Sequence, residues 1–258
     1  MFTWFRNRRR RKLLEEPFPP WWEVILQRNV ALYPRLSPAE RAKLRDILRI
    51  LHAEKTWESA NSLHVTEEMK ITIAAQAALL LLGVNHDYFA RVSSIVVYPS
   101  AFATPNPEDD WEDDELSDRI IEGQAVYRGP VILAWNHVLN EGRDLEQGHN
   151  LVIHEFAHQL DFLDDVVNGT PPLDSPQQEA RWHQVMQVAF DAHVKAIKHD
   201  TETIFTEHAA ENETEFFADA AEVFYCAPVI LKEEHPEVYD LLAGYFRVNP
   251  LAWFPEGE

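Results

Sequence analysis

Two histidines and a glutamate stand at a spacing that suits metal-dependent hydrolysis. The segment His154-Glu155-Phe156-Ala157-His158 follows the pattern His-Glu-x-x-His inside an apolar, helix-forming stretch. Residues four apart lie one turn above each other on a helix, so His154 and His158 can direct two imidazole nitrogens to one point. Such a pair suits zinc, and Glu155, about 100° further round the helix, can reach a water molecule at the ion without being a ligand. We therefore expect one zinc ion per chain, with Glu155 as the general base of a hydrolase.

A catalytic zinc needs a third protein ligand, and the sequence offers two candidates. Asp164 lies six residues after His158, where metzincin-type peptidases place their third ligand, but Asp161 occupies the position at which those enzymes need glycine. Glu215 lies on a predicted helix, residues 213–225, whose aromatic and aliphatic side chains indicate burial. A buried carboxylate needs a charge partner, and zinc is one that is available. We favour Glu215, the arrangement of gluzincin peptidases.

The same predicted helix carries two further carboxylates, Asp219 one turn and Glu222 two turns beyond Glu215. Either could accept the second N–H of a ligating histidine and thereby fix the orientation of its ring. A helix edge that faces solvent would explain these residue types equally well. Both interpretations stay open from the sequence alone.

The segments around the motif predict an α+β protein that is mostly helical. The pattern Ser-Pro-x-Glu at residues 37–40 is a capping box and predicts a helix start, and Thr66 starts a second, apolar helix that runs to Gly83. The β-branched and apolar runs at 95–98 and 131–135 predict short strands of a small sheet. The second of these precedes the metal helix, where zinc peptidases commonly have a strand at the upper rim of the cleft that pairs with extended substrate. Core packing alone would explain its residues equally well.

Length and composition indicate a globular protein with one compact domain. Apolar residues make up 46% of the chain and charged residues 26%. We expect a zincin-like metallopeptidase domain over residues 17–258, with a helical N-terminal part at 17–90 and a catalytic part at 91–258. The longest uncharged run, 71–85, is shorter than the ~20 residues of a membrane span, so we expect no transmembrane segment. Residues 1–16 are expected to form a basic, disordered tail.

The charge balance argues against nucleic-acid binding by the body of the protein. The chain has 23 basic and 43 acidic residues, a net charge of −20, and six of the basic residues lie between Arg6 and Lys12. The body therefore repels nucleic acid and anionic lipid, and the acidic run at 108–118 predicts a solvated loop.

Cys226, the only cysteine, cannot form an internal disulfide, and no signal peptide is evident. We expect a cytoplasmic protein.

Several segments together resemble the Mlc titration factor A family of zinc peptidases. The resemblance runs from about Trp22 to Pro250 and is carried by residues 150–161, Glu215-Phe216-Phe217-Ala218 with Glu222, residues 74–83, Val97-Tyr98-Pro99 and residues 129–135. It implies a zincin fold related to the catalytic domain of anthrax lethal factor, with His154, His158 and Glu215 as zinc ligands and Glu155 as the base. It also implies aminopeptidase-like activity and binding to the glucose repressor Mlc.

One position departs from the family pattern. That pattern places a tyrosine seven residues before the third ligand, as a donor to the oxyanion, and here the position holds His208. An imidazole N–H can also donate to a developing oxyanion, so we expect His208 to be catalytic. The alternative is that His208 occupies a surface turn before the helix.

Two functions of different classes follow from the sequence. The leading one is a zinc-dependent metallopeptidase that acts on short peptides. The alternative is a regulatory protein that binds and titrates an Mlc-like transcriptional repressor, with proteolysis absent or conditional. The acidic surface suits a basic, DNA-binding partner, and the two functions do not exclude each other.

Overall fold

The predicted helices and strands form in the computed structural model, which describes residues 2–60, 63–104, 119–121, 123–127, 129–146 and 148–254. The acidic run at 108–118 lies outside these residues. The helices are α1 (Phe2–Glu15), α2 (Pro20–Asn29), α3 (Pro38–Glu54), α4 (Glu67–Leu79), α5 (Trp135–Arg143), α6 (Leu151–Asp161), α7 (Pro176–Lys198), α8 (Glu213–Cys226), α9 (Pro228–Glu234) and α10 (Pro236–Phe246). The strands are β1 (Thr56–Ser59), β2 (Ser94–Tyr98), β3 (Phe102–Thr104), β4 (Arg119–Ile121), β5 (Gly123–Ala125) and β6 (Val131–Ala134). The mostly helical α+β class is confirmed.

Helix α3 begins at the predicted capping box. The Ser37 hydroxyl accepts a hydrogen bond from the Glu40 amide at 3.3 Å, and the Glu40 carboxylate accepts one from the Ser37 amide at 2.8 Å. These two bonds satisfy amides that a helix start leaves without partners. At α4 the Thr66 hydroxyl accepts from the Met69 amide at 3.3 Å. Both predicted helix starts are therefore confirmed.

Helix α4 is buried on almost every side and ends earlier than predicted. The sequence indicated a helix as far as Gly83, but the α-helix ends at Leu79 and tight turns follow, with the Leu82 amide 3.2 Å from the Leu79 carbonyl. The chain must then pass the end of α10 at close range. A Cβ atom at Gly83 would lie 2.0 Å from the Phe246 carbonyl oxygen, so only glycine fits there.

The main sheet has the strand order β1-β2-β6-β5, in which β5 is antiparallel to β6 and the other neighbours are parallel. Strand β6 matches the predicted strand at 131–135, except that Trp135 already belongs to α5. The expectation that β6 offers its edge to substrate is wrong, because β2 and β5 pair with β6 on its two sides. The strand at this edge of the sheet is β5.

The N-terminal part of the chain is not helical throughout. Strand β1 lies within residues 17–90 and pairs in parallel with β2, with Trp57 opposite Ile95. One hydrophobic cluster joins both parts of the chain, since Leu48 and Ile73 belong to the same buried group as Phe156. Among the described residues, no helix is both long and apolar enough to cross a membrane.

The expectation of a disordered tail at residues 1–16 is wrong for residues 2–15, which form α1. Arg10 is 6% exposed and donates to both carboxylate oxygens of Glu54, at 2.8 and 2.6 Å, and to Asp87 at 2.8 Å. Its guanidinium also lies over the Tyr88 ring, 4.3 Å from the centroid. Bidentate ion pairs of this kind are strong, and they hold α1 against the body. Composition alone did not indicate them, because the partners lie 44 and 77 residues away in the sequence.

Candidate metal centre and active site

Helix α6 begins at a residue that fixes it to the core. The Asn150 side-chain oxygen accepts from the Ile153 amide at 3.0 Å, and its Nδ2 donates to Gln76 Oε1 at 2.7 Å. Gln76 is fully buried on α4, and its own Nε2 donates to the Val138 carbonyl at 3.2 Å. The first turn of the motif helix is therefore held by a polar chain that reaches through the core.

Three predicted ligands converge at one point. The Nε2 atoms of His154 and His158 lie 3.1 and 3.2 Å from Oε2 of Glu215. One ligand atom from each of the three residues lies within 4.8 Å of the others. The two imidazole rings are 4.8 Å apart at 81°, as expected for residues one helical turn apart. Two nitrogens and one carboxylate oxygen form a donor set that zinc accepts, and they leave a position for water.

Packing of α8 explains why Glu215 points to this place. Its helix begins at Asn212, whose side chain accepts from the Thr214 and Glu215 amides at 3.0 Å each. The following aromatic residues, Phe216 and Phe217, are 1% and 0% exposed and fix the rotation of the helix. The first-turn carboxylate is thereby directed to the two histidines.

Asp164, the other candidate for the third ligand, does not lie at the two histidines. It is exposed at the end of a 3-10 turn, Phe162–Asp164, and its Oδ1 accepts from the Val166 amide at 3.0 Å. The geometry therefore brings Glu215, and not Asp164, to the two imidazoles.

Glu222 lies within hydrogen-bond distance of the second ring nitrogen of His154. This is the role that the sequence suggested for a carboxylate of α8. His154 Nδ1 lies 2.6 Å from Glu222 Oε1, and Oε2 accepts from the Asn150 amide at 2.6 Å. Donation from Nδ1 leaves the lone pair of His154 Nε2 for a metal ion. Burial lowers the pKa of His154, but Glu222 and Glu215 outweigh burial and raise the pKa well above its ordinary value.

Asp219 does not accept from either motif histidine through a hydrogen bond in the structure. Its Oδ1 accepts from the Thr206 hydroxyl at 2.5 Å and from the Thr206 amide at 3.3 Å. Thr206 in turn starts the 3-10 turn Glu207–Ala210, since its Oγ1 accepts from the Ala209 amide at 3.4 Å. Asp219 therefore holds the segment that carries His208, a role that its one-turn spacing from Glu215 did not indicate.

His208 belongs to the same cluster as the three predicted ligands. Its Nε2 lies 3.1 Å from Glu215 Oε2, and its Nδ1 lies 2.8 Å from Glu211 Oε1. The ring stacks at 25° on that of His154, with centroids 6.1 Å apart. The hydrogen bond to Glu215 raises the pKa of His208. The side chain is thus at the site and can donate into it.

Glu155 is a buried carboxylate beneath the edge strand. It is 4% exposed, and its Oε2 has no hydrogen-bond partner among the described residues. A Cβ atom at Gly123 of β5 would lie 2.5 Å from Glu155 Oε1, so the strand passes directly over the carboxylate. Burial raises the pKa of Glu155 to about 8. Burial therefore favours the protonated form of this carboxyl, and a cation bound nearby would favour the carboxylate.

The pKa shifts of Glu215 and His158, the other two predicted ligands, favour binding of a metal cation. Burial opposes ionisation of Glu215, but hydrogen bonds from His154, His158 and His208 outweigh burial and hold its pKa well below the usual range. Burial lowers the pKa of His158, which favours the neutral imidazole that binds metals. The pKa shifts thus favour an ionised Glu215 and a neutral His158, the forms in which these residues bind zinc, whereas the two carboxylates around His154 favour its protonated form.

Some residues of the site were not predicted as such. Gly123 lies against Glu155, Gln76 accepts from Asn150, and Thr206 donates to Asp219. Glu141 accepts from the Leu151 amide at 2.6 Å. Gln76 gave one usable signal, a polar side chain inside an otherwise apolar helix. Such a residue needs a buried partner.

Comparison with known proteins gives matches over nearly the whole chain. Residues 4–247 match the glucose-regulated metallo-peptidase M90 family. An uncharacterized protein of Synechocystis sp. is 31% identical over 94% of this chain and 89% of its own length. The Mlc titration factor A proteins of Yersinia pestis and Yersinia pseudotuberculosis are each 28% identical over 97% of this chain and 91% of theirs. The family match covers the site together with nearly all the helices and strands around it, and the chain belongs to the glucose-regulated metallo-peptidase M90 family.

Proposed function

We propose that the protein is a zinc-dependent peptidase in which His154, His158 and Glu215 hold one zinc ion. The observation that carries the proposal is the convergence of three ligand atoms within 4.8 Å of one another. The donor chemistry fits the ion, because zinc in hydrolases is commonly bound by two histidines and one glutamate. Glu155 Oε2 adjoins the same centre, has no hydrogen-bond partner in the described part of the chain, and fits a water molecule held there.

Side chains of the protein carry out the proton transfers and stabilise the oxyanion. When bound, a zinc ion polarises the scissile carbonyl and lowers the pKa of a water molecule. In its carboxylate form, Glu155 takes a proton from the attacking water and then returns it to the leaving amine. His208 donates an N–H to the oxyanion. Glu222 keeps the Nδ1 proton of His154 in place, and so holds the ring in its ligating orientation.

A short, extended peptide is the substrate that this site fits. Strand β5 lies at the edge of the sheet, and its Gly123 lies over Glu155. Among the described residues no strand pairs with the outer edge of β5, and a peptide that pairs there would bring a backbone carbonyl close to the general base. The resemblance to Mlc titration factor A supports aminopeptidase-like cleavage, in which the peptide is read from its N-terminus.

Replacement of Glu155 tests the proposed function. Glu155→Gln has nearly the same shape but cannot accept a proton, so we expect full zinc content and a loss of about 10² to 10⁴ in kcat. Hydrolysis of a panel of aminoacyl and peptide substrates, with and without a chelator, measures this effect. Glu179→Gln, an exposed change on α7, is the matched control and should leave kcat unaltered. Undiminished turnover by Glu155→Gln would exclude the mechanism.

A second function, binding of an Mlc-like repressor, rests on a separate observation. Relatives that are 28% identical bear the name Mlc titration factor A. The net charge of −20 also complements a basic, DNA-binding protein. A variant without zinc, Glu215→Ala, separates the functions: if it still binds a purified repressor of the Mlc class, binding does not need the metal. If neither it nor the unaltered protein binds, the second function is wrong.

A further inference from the structure

Helix α1 has two faces of different character. At about 100° per residue, Arg6 and Arg10 lie on one side of the helix, where they pair with Asp87 and Glu54 of the body. We call the opposite side the outer face and define it by Trp4, Phe5, Arg8, Arg9, Arg11 and Lys12. These six residues fall within an arc of about 160° on a helical wheel.

The outer face combines exposed cationic side chains with exposed aromatic ones. Its four cationic side chains are exposed, and none forms an ion pair with another residue in the described part of the chain. Trp4 and Phe5 are 55% and 57% exposed, although tryptophan and phenylalanine are usually well buried. Trp4 packs edge-on against Phe5 at 5.0 Å and under the Arg8 guanidinium at 5.6 Å. Such a surface favours an anionic partner that also has an apolar boundary.

The rest of the molecule has the opposite charge. Without the six basic residues of α1, 17 basic residues remain against 43 acidic ones. An anionic surface would therefore attract the outer face and repel the body, which sets the orientation of binding as well as its strength. This contrast makes α1 the part of the chain that an anionic surface meets.

We propose that the outer face of α1 docks the protein on an anionic phospholipid membrane. Arginine and lysine would contact the lipid phosphates, while Trp4 and Phe5 enter the interface between headgroups and acyl chains, where aromatic rings are favoured. Membrane docking suits the geometry better than a nucleic-acid groove, because α1 is fastened to the body along its inner side. A groove cannot enclose it, but a flat surface reaches the whole outer face.

Vesicle flotation with the full chain tests the docking. The protein should float with vesicles of phosphatidylcholine and phosphatidylglycerol, fail to float with phosphatidylcholine alone, and bind less as salt rises. The variant Arg8→Glu/Lys12→Glu should lower the partition coefficient by about tenfold or more. Lys195→Glu/Lys198→Glu, which makes the same charge change on exposed residues of α7, is the matched control and should bind as the unaltered protein does.

The aromatic residues give a second, independent variant. Trp4→Ala/Phe5→Ala should weaken flotation even at high salt, where the contribution of the cations is screened. Circular dichroism checks that each variant is folded. Absence of flotation with anionic vesicles, an equal loss in the α7 control, or binding of RNA in place of vesicles would overturn the proposal.

Discussion

The imidazole of His208 occupies a position where the resemblance to the family predicts a phenol. The ring lies within hydrogen-bond distance of Glu215, at 3.1 Å, and is held there by a turn that Thr206 starts. An oxyanion donor acts mainly in the transition state, so its loss lowers kcat more than it raises KM. The two kinetic constants therefore distinguish a donor from a residue that only shapes the turn.

We expect His208→Ala to lower kcat by about 10² to 10³ with little change in KM. His208→Tyr should keep activity and extend the alkaline limb of the kcat profile to higher pH, because a phenol keeps its proton to about pH 10. Steady-state kinetics across pH measures both effects. His183→Ala, an exposed histidine on α7, serves as the control. Unchanged kinetics in both His208 variants would remove this residue from the mechanism.

Asp219 is predicted to be a positioning residue for His208. Its removal leaves the Thr206 hydroxyl without its 2.5 Å partner and loosens the turn that carries the imidazole. We expect Asp219→Ala to lower kcat by about 10 to 10², with full zinc content, and Asp219→Asn to restore most of the loss. Metal analysis and kinetics measure the two quantities. Loss of zinc in Asp219→Ala would show instead that the residue acts through the metal ligands.

At the scale of elements, the site depends on how closely β5 crosses α6. Glycine at position 123 allows the crossing, since a Cβ atom there would lie 2.5 Å from Glu155 Oε1. We expect Gly123→Ala to displace the carboxylate and to lower kcat/KM by about tenfold or more while zinc remains bound. Gly244→Ala is a control whose Cβ meets nothing within 4 Å. Equal activity of the two variants would mean that β5 does not set the position of the base.

The part of the site that lies on single helices could be predicted from sequence. The spacing of His154, Glu155 and His158 indicates one helix face. The apolar pattern of α8 indicates only that one of its carboxylates turns inward, and the choice of Glu215 rests also on the resemblance to the family. The position of β5 over Glu155 and the bond between Asp219 and Thr206 could not be predicted in this way. They depend on which elements pack together, and no local spacing in the sequence encodes that packing.

At the scale of the whole molecule, the same limit applies to α1. The basic composition of residues 6–12 indicated a solvated tail, because charged runs rarely bury enough surface to fold. The helix is held instead by the ion pairs of Arg10 with Glu54 and Asp87, which lie far away in the chain. Charge at this scale divides the protein into a basic, aromatic outer face and an acidic body.

The whole fold brings two helices together at the proposed metal centre, although His154 and Glu215 are 61 residues apart. Anomalous diffraction at the zinc absorption edge, from crystals of the zinc-loaded protein, tests this claim most directly. We expect one zinc peak, bonded at about 2.0 to 2.2 Å to the Nε2 atoms of His154 and His158 and to a carboxylate oxygen of Glu215. A peak bonded to Asp164, or a zinc ion bound away from α6 and α8, would contradict the assignment of the metal centre.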